Sequence, residues 1–346
     1  MTIRKINKFI CTILAAALCL SLIACEAQTP NGSQSTAGKG VKVSSASSVS
    51  TYALFVSEII NIGLEKVGYK PAEIKQLSIP LAHISVRNGD VDFYSVHWQN
   101  IHKKFFLENG GDQKLEKVGV IISDALQSYQ IDKKTAEQYK ITNLEQLKDP
   151  KIAKLFDSDG DGKANLTGCN PGWGCELVIE HQLDAYKLRD TIEHDQGNYD
   201  VLLAATLGRY KQGQPILFYS YIPHWSVTVL KPGEDTIRLE VPFLSLPKEQ
   251  ENITEKDTTV DGKNLGVGVD QVRVIANKKF LAANPAAKRL FELMTVPIED
   301  VNAEQKLVQD GENTPKDIRR HAEEWVKTNQ ELFDSWVESA KEAATT

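Results

Sequence analysis

Apolar residues recur along this chain of 346 residues in two spacings, and the two spacings alternate. Val41-Lys42-Val43 begins a strand. Residues 52–67 carry apolar side chains at helical spacing and stop at Gly68, a residue suited to closing a helix. Residues 81–88 predict a second short helix, 91–94 a strand, 100–109 a helix closed by Gly110-Gly111, and 118–122 another apolar strand. A second block follows the same logic. Residues 177–188 and 199–212 read as helices, and 216–221 as an apolar strand bracketed by Pro215 and Pro223. Residues 266–276 are β-branched and partly alternating, which fits a strand whose register the sequence leaves open. Pro285 opens a helix with Asn284 as its cap, and Thr314-Pro315 opens another running to about residue 340. Trp325 and Trp336 lie in that last helix as packing residues. The alternation predicts an α/β protein in two blocks, with a mostly parallel sheet covered by helices on both faces. The C-terminal helices are available to return to the first block.

The N-terminus departs from this pattern. Arg4, Lys5 and Lys8 precede an apolar stretch over residues 9–20, too short for a comfortable membrane span. It ends in Leu22-Ile23-Ala24-Cys25, which resembles a bacterial lipobox. Residues 1–24 are therefore expected to be a signal peptide and Cys25 a lipidated N-terminus, with a cleaved soluble leader as the alternative. Two acyl chains on one cysteine would anchor stably where one chain would not. Residues 25–40 are polar, rich in Gly, Ser and Thr, and read as a flexible tether.

Export changes how the cysteines are read. Of five, Cys11 and Cys19 leave with the leader and Cys25 takes lipid, so Cys169 and Cys175 remain. An oxidising compartment favours their pairing as a disulfide; a zinc pair is the competing reading, weakened by the lack of other clustered ligands. The formal charge is −6, and removing the three basic leader residues makes it more negative. An acidic chain without basic runs is a poor nucleic-acid binder.

Three segments carry candidate chemistry. Cys169-Asn170-Pro171-Gly172-Trp173-Gly174-Cys175 is a turn-rich loop that a disulfide would stiffen, holding Trp173 outward. A helix follows at once, so the Gly174 and Cys175 amides fall at its N-terminus, where a carboxylate is welcome. Val96-His97-Trp98-Gln99-Asn100-Ile101-His102 follows a predicted strand, and ligands bind beyond the carboxyl ends of strands in open α/β sheets. With a helix beginning near Gln99, Trp98 and His102 share one face. Phe218-Tyr219-Ser220-Tyr221-Ile222-Pro223-His224-Trp225 also closes a strand, and most of its aromatics suit a core. A trimethylammonium group offers no N–H, spreads its charge over methyls, and is attracted to aromatic faces. A carboxylate at its other end would need donors, which His102 and the helix-start amides supply. Such a zwitterion is glycine betaine or a close relative.

Longer runs add to this reading. Ile131-Asp132-Lys133-Lys134-Thr135-Ala136, Leu147-Lys148-Asp149-Pro150-Lys151-Ile152-Ala153-Lys154-Leu155-Phe156, the Cys169–Cys175 loop and Gln196-Gly197-Asn198-Tyr199 resemble the substrate-binding protein of glycine betaine/proline betaine ABC transporters, from about residue 41 to near the C-terminus. The resemblance implies a two-lobed periplasmic-binding-protein fold with a ligand cleft between lobes, no catalysis, and a three-aromatic box around the ammonium group. Trp98 and Trp173 match two box tryptophans, and the third falls on Tyr221, a smaller π face. The family's carboxylate contacts fall on His102, Gly174 and Cys175, while Trp225 lies outside the box. Lobe 1 is expected to hold residues 41–125 and 270–346, and lobe 2 residues 126–269, with hinge crossings near Leu126 and Val269. The implied partners are glycine betaine or proline betaine and the membrane permease of an ABC importer, met by a monomer anchored outside the cytoplasm.

Asp157, Asp159 and Asp161 sit at alternating positions, like the start of a calcium loop, but Gly168 stands where a bidentate glutamate is expected, so a surface turn is favoured, with a structural calcium ion supporting the adjacent Cys169 loop as the alternative and no other cofactor expected. Two rival functions stay open: a receptor for another quaternary-ammonium solute such as choline, and an exported enzyme, for which no nucleophile–base constellation is visible.

Overall fold

The computed structural model describes residues 37–345. The expected signal peptide and Cys25 lie outside the described residues, as does most of the expected tether. Residues 37–40 of that tether form a turn packed onto the body, with Ala37 buried, so the ordered body begins ahead of the expected Val41.

A nine-stranded sheet organises the chain. Its strands are β1 (Ser45–Ser47), β2 (Lys75–Gln76), β3 (Phe93–Trp98), β4 (Leu115–Asp132), β5 (Ala164–Thr167), β6 (Ile192–Asp195), β7 (Leu217–Ile222), β8 (Thr236–Arg238) and β9 (Asp270–Asn277). The order is β2-β1-β3-β9-β4-β7-β5-β6, with β8 also on β4. The sheet is mixed, which corrects the mostly parallel expectation. The pairs β1–β2, β1–β3, β5–β6 and β5–β7 are parallel, but β9 runs antiparallel to both β3 and β4, and β4 antiparallel to β7 and β8. The reason is that β9 arrives late in the chain and enters between β3 and β4, a return that βα alternation in sequence does not reveal.

β4 is the longest strand, at 18 residues, and it serves two sets of neighbours. Leu115 to Ala125 pair with β9, and Leu126 to Ile131 pair with β7. The pattern of residues 118–122 predicted only its first part. The second part carries Gln127, Ser128, Gln130 and Asp132, polar residues that are buried because the sheet and the Asp132 cap contacts take up their hydrogen bonds or place them at the central cavity.

The helices follow from periodicity. α1 (Thr51–Val67) is buried over most of its surface, with Glu58, Glu65 and Lys66 left along its one open edge, as a helix with so wide an apolar face must be. It ends at Gly68 in the left-handed region, whose N–H reaches Glu65 O while Tyr69 N–H reaches Leu64 O; only glycine adopts that φ of 110° without cost. α2 (Ile79–Asn88), α3 (Gly174–Ala185), α4 (Tyr199–Lys211), α5 (Pro285–Leu293) and α6 (Ile298–Gln309) come next. Asn284 precedes α5 without the expected capping bond; its side chain donates to Phe280 O instead. The final predicted helix is two, α7 (Pro315–Thr328) and α8 (Gln330–Glu342), broken at Asn329. Both pack on α1, and Arg319 of α7 pairs with Glu58 and Glu65 across that contact. Trp325 and Trp336 are buried and stacked at 6.4 Å, as packing residues should be.

Candidate ligand-binding site

One cavity with about 380 Å³ of empty space gathers the residues the sequence singled out. Trp98, His102, Trp173, Gly174, Cys175 and Tyr221 all line it. Ser48, Ser50, Tyr52, Ile79, Tyr94, Ile101 and Gln127 complete the wall and were not foreseen. Its lining comes both from elements that pair around β9 and from elements that pair around β7.

On the first side, Trp98 ends β3 and His102 follows a tight turn, not the predicted helix, which starts only at Lys103. That turn hangs on the buried Asp270 carboxylate, which accepts the amides of Asn100 at 3.0 Å, Ile101 at 3.1 Å and Gln271 at 2.8 Å. Burial raises the Asp270 pKa to about 6 against the opposing pull of those amides. The Trp98 amide donates to His102 Nδ1 at 3.2 Å, which leaves Nε2 as the protonated nitrogen of a neutral ring. Burial and the neighbouring His83 hold the His102 pKa well below the ordinary histidine range. Behind it, His83 Nδ1 donates to Ile79 O at 2.7 Å, and its Nε2 takes the proton of His97 Nδ1 at 3.1 Å. His83 is pushed down to about 4, and His97 lies well below its usual range, both chiefly by burial. Three neutral imidazoles therefore stand in contact, with His97 and His102 centroids 5.7 Å apart.

On the second side, Cys169 and Cys175 form a disulfide, which settles the choice against a zinc pair. α3 begins at Gly174 with Trp173 as its N-cap residue, so the Gly174 and Cys175 amides are at a helix start as predicted. A Cβ on Gly174 would stand 2.2 Å from Ile101 O, so glycine lets this helix start approach the turn that carries His102. The loop is tied further back: the Cys169 amide donates to His194 Nε2 at 3.3 Å, and His194 Nδ1 donates to Glu180 at 2.7 Å. Asn170 Oδ1 accepts the Tyr199 amide at 2.9 Å.

The aromatic rings converge on Tyr221. Trp98 lies 6.3 Å and Trp173 5.9 Å from it, both near perpendicular. Tyr199 and His224 back it at 5.3 Å and 4.6 Å. Trp225 is not among the residues lining the cavity, and its indole N–H is held by Asp200. Among the described residues, Gln127 Oε1 is buried without a hydrogen-bond partner. The cavity thus brings three aromatic rings together with a neutral imidazole and the first residues of a helix.

Asp157, Asp159 and Asp161 bring carboxylate oxygens within 4.8 Å of one another. Much of their accepting capacity is spent on their own loop: Asp157 takes the Gly160 and Gly162 amides, Asp159 that of Asp161, and Asp161 that of Lys163.

This α/β scaffold with its central cavity has the fold of two-lobed periplasmic substrate-binding proteins. Residues 39–328 match the family described as the substrate binding domain of ABC-type glycine betaine transport systems, and the chain belongs to that family. It is 45% identical over 307 residues to the glycine betaine-binding periplasmic protein OusX of Dickeya dadantii, covering 89% of this chain and 92% of that one. It is 44% identical over 303 residues to the glycine betaine/proline betaine-binding periplasmic protein of Escherichia coli, covering 88% and 91%. The lactococcal protein OpuAC, solved closed with glycine betaine, shares the fold with a TM-score of 0.65 at 19% identity, over 86% of this chain and 99% of that one. Among the described residues no helix is long and apolar enough to cross a membrane.

Proposed function

We propose that this protein is the extracytoplasmic receptor of an ABC importer, which captures glycine betaine or proline betaine and delivers it unchanged to a membrane permease for osmoprotection. One observation carries the reading: Trp98, Trp173 and Tyr221 meet around one cavity whose remaining wall holds His102 and the amides of Gly174 and Cys175. The ammonium end rests among the rings, and each ring contributes about 0.5–2 kcal/mol. The carboxylate accepts from His102 Nε2 and from the two amides, which the start of α3 makes partly positive. Choline has the first end and lacks the second, so it is the weaker ligand.

In this reading the lobes are residues 41–125 with 270–346, and 126–269. The hinge lies where β4 changes partner near Leu126 and where the chain returns near Val269; closure on ligand is what the permease senses. The receptor acts as a monomer without catalysis, cofactor or nucleic acid. The Asp157–Asp159–Asp161 loop is a surface turn whose carboxylates cap its own amides. Residues 1–24 act as the export signal and Cys25 as the lipid anchor, which the basic, apolar and lipobox-like order of that segment supports. Calorimetric titration with glycine betaine, followed by recovery of the solute, tests the reading. Saturable binding with betaine returned intact is expected; conversion of betaine to a new compound would establish an enzyme instead.

A further inference from the structure

The cavity has a tyrosine that the paired-tryptophan pattern did not anticipate. Tyr52 stands in the first turn of α1, is buried, and lines the same wall as Trp98. Its hydroxyl accepts the Trp98 indole N–H at 2.8 Å, a buried hydrogen bond across 46 residues of sequence. Its ring lies 6.5 Å from Tyr221 at an interplanar angle of 60°. Tyr221 therefore has three rings set steeply around it, those of Tyr52, Trp98 and Trp173. Burial pushes the Tyr52 hydroxyl far above the ordinary phenol range, so it stays neutral.

We propose that Tyr52 is a fourth wall of the ammonium cage and the group that fixes the Trp98 indole in it. The inference rests on the betaine reading above. Two distinct contributions follow from the geometry. The ring adds a π face beside the cation, supplementing the small face that Tyr221 presents. The hydroxyl accepts the indole N–H, so Trp98 is held in one orientation across the contact between α1 and the end of β3.

The two roles separate with a pair of probes: glycine betaine, and 3,3-dimethylbutanoate, in which carbon replaces nitrogen so that the shape stays and the positive charge goes. Calorimetry on the full-length protein should show wild type preferring glycine betaine by about tenfold or more. Tyr52→Leu should narrow that preference by about threefold or more, because a π face is lost. Tyr52→Phe keeps the ring and removes the indole acceptor, so it should weaken both probes by a similar factor of about three to ten and leave their ratio unchanged. A loss of packing alone would weaken both probes equally in Tyr52→Leu, so a wild-type ratio in that variant overturns the cage role. Unaltered affinities for both probes in Tyr52→Phe overturn the positioning role; where Tyr52→Leu fails to fold, Tyr52→Met takes its place, and a wild-type ratio in it overturns the cage role. If wild type itself ignores the charge, the betaine reading falls and Tyr52's role with it.

Discussion

The two sides of the cavity hold their hydrogen-bond donors in different ways. On the β3 side the donor is a side chain, His102, and its tautomer and position are set by a backbone amide, the buried Asp270 carboxylate and two more buried histidines. On the α3 side the donors are main-chain amides, set by a disulfide, a glycine that clears Ile101 O, and the His194–Glu180 pair behind the loop. The first arrangement is held by burial and responds to protons. The second is held by covalent and steric constraint and can be altered only by moving the backbone. In the proposed complex a carboxylate gripped from both sides would tie them together, which is how a ligand would favour a closed cleft.

Substitutions break this comparison in graded ways. The largest effect is expected from Trp98→Ala or Trp173→Ala, one from each side. Each should weaken glycine betaine binding at least about tenfold through loss of about 1–2 kcal/mol or more of cation–π and packing. Overlapping titration curves for wild type and both variants would contradict the cage. Next comes Gly174→Ala. Its Cβ would need the space 2.2 Å from Ile101 O, so the two sides must separate; about tenfold weaker binding with little change in melting temperature is expected by calorimetry and thermal scans.

Reducing the disulfide should act on one side only. In the chain-entropy account, opening so short a loop costs about 2 kcal/mol of stability. Binding should weaken a few-fold as the α3 amides loosen, and a reduced protein that melts and binds like the oxidised one would show that the loop is held without it. Tyr221→Trp should hold or improve affinity; a loss of binding with folding intact would give Tyr221 a different role.

Acid tests the other side. His83, His97 and His102 have folded-state pKa values below the unfolded value of about 6.5. The unfolded chain therefore takes up those protons first. Stability is fully present above about pH 6.5 and falls as pH drops toward the folded values, by up to about 1.4 kcal/mol per histidine per pH unit. Asp270, raised to about 6, works oppositely between its unfolded value of about 3.9 and 6, and one carboxylate does not offset three histidines. Melting temperature should fall between pH 7 and 5, while betaine affinity stays within about twofold between pH 8 and 6.5, because His102 is neutral throughout. A steep change in affinity over that upper range would show that His102 binds as a cation.

Much of this site was legible because its residues sit where local chemistry is loud. A Cys-to-Cys loop with Pro and Gly ahead of a helix announces a stapled helix start, and the strand-ending Trp98 and His102 announce a cleft wall. Tyr52 was silent because it opens a helix with a wide apolar face, where an aromatic reads as core; the signal that points to it is the need of the Trp98 indole for an acceptor. Gln127 was hidden in the second part of β4, whose buried polar residues mask a strand. The sheet's direction departs from the expectation because the insertion of β9 between β3 and β4 pairs residues 145 to 183 positions apart, which no local period records. The helical turn expected from Gln99 to His102 gave way to the grip of Asp270, a partner equally remote in sequence.

The central claim is that the cavity reads both ends of a zwitterion. Parallel calorimetric titrations of the wild-type protein with glycine betaine and with choline test it most directly. The account predicts saturable binding of glycine betaine, one molecule per chain, with choline weaker by about tenfold or more, since the carboxylate contacts are charge-assisted hydrogen bonds. Choline binding as tight as glycine betaine, or tighter, would contradict it.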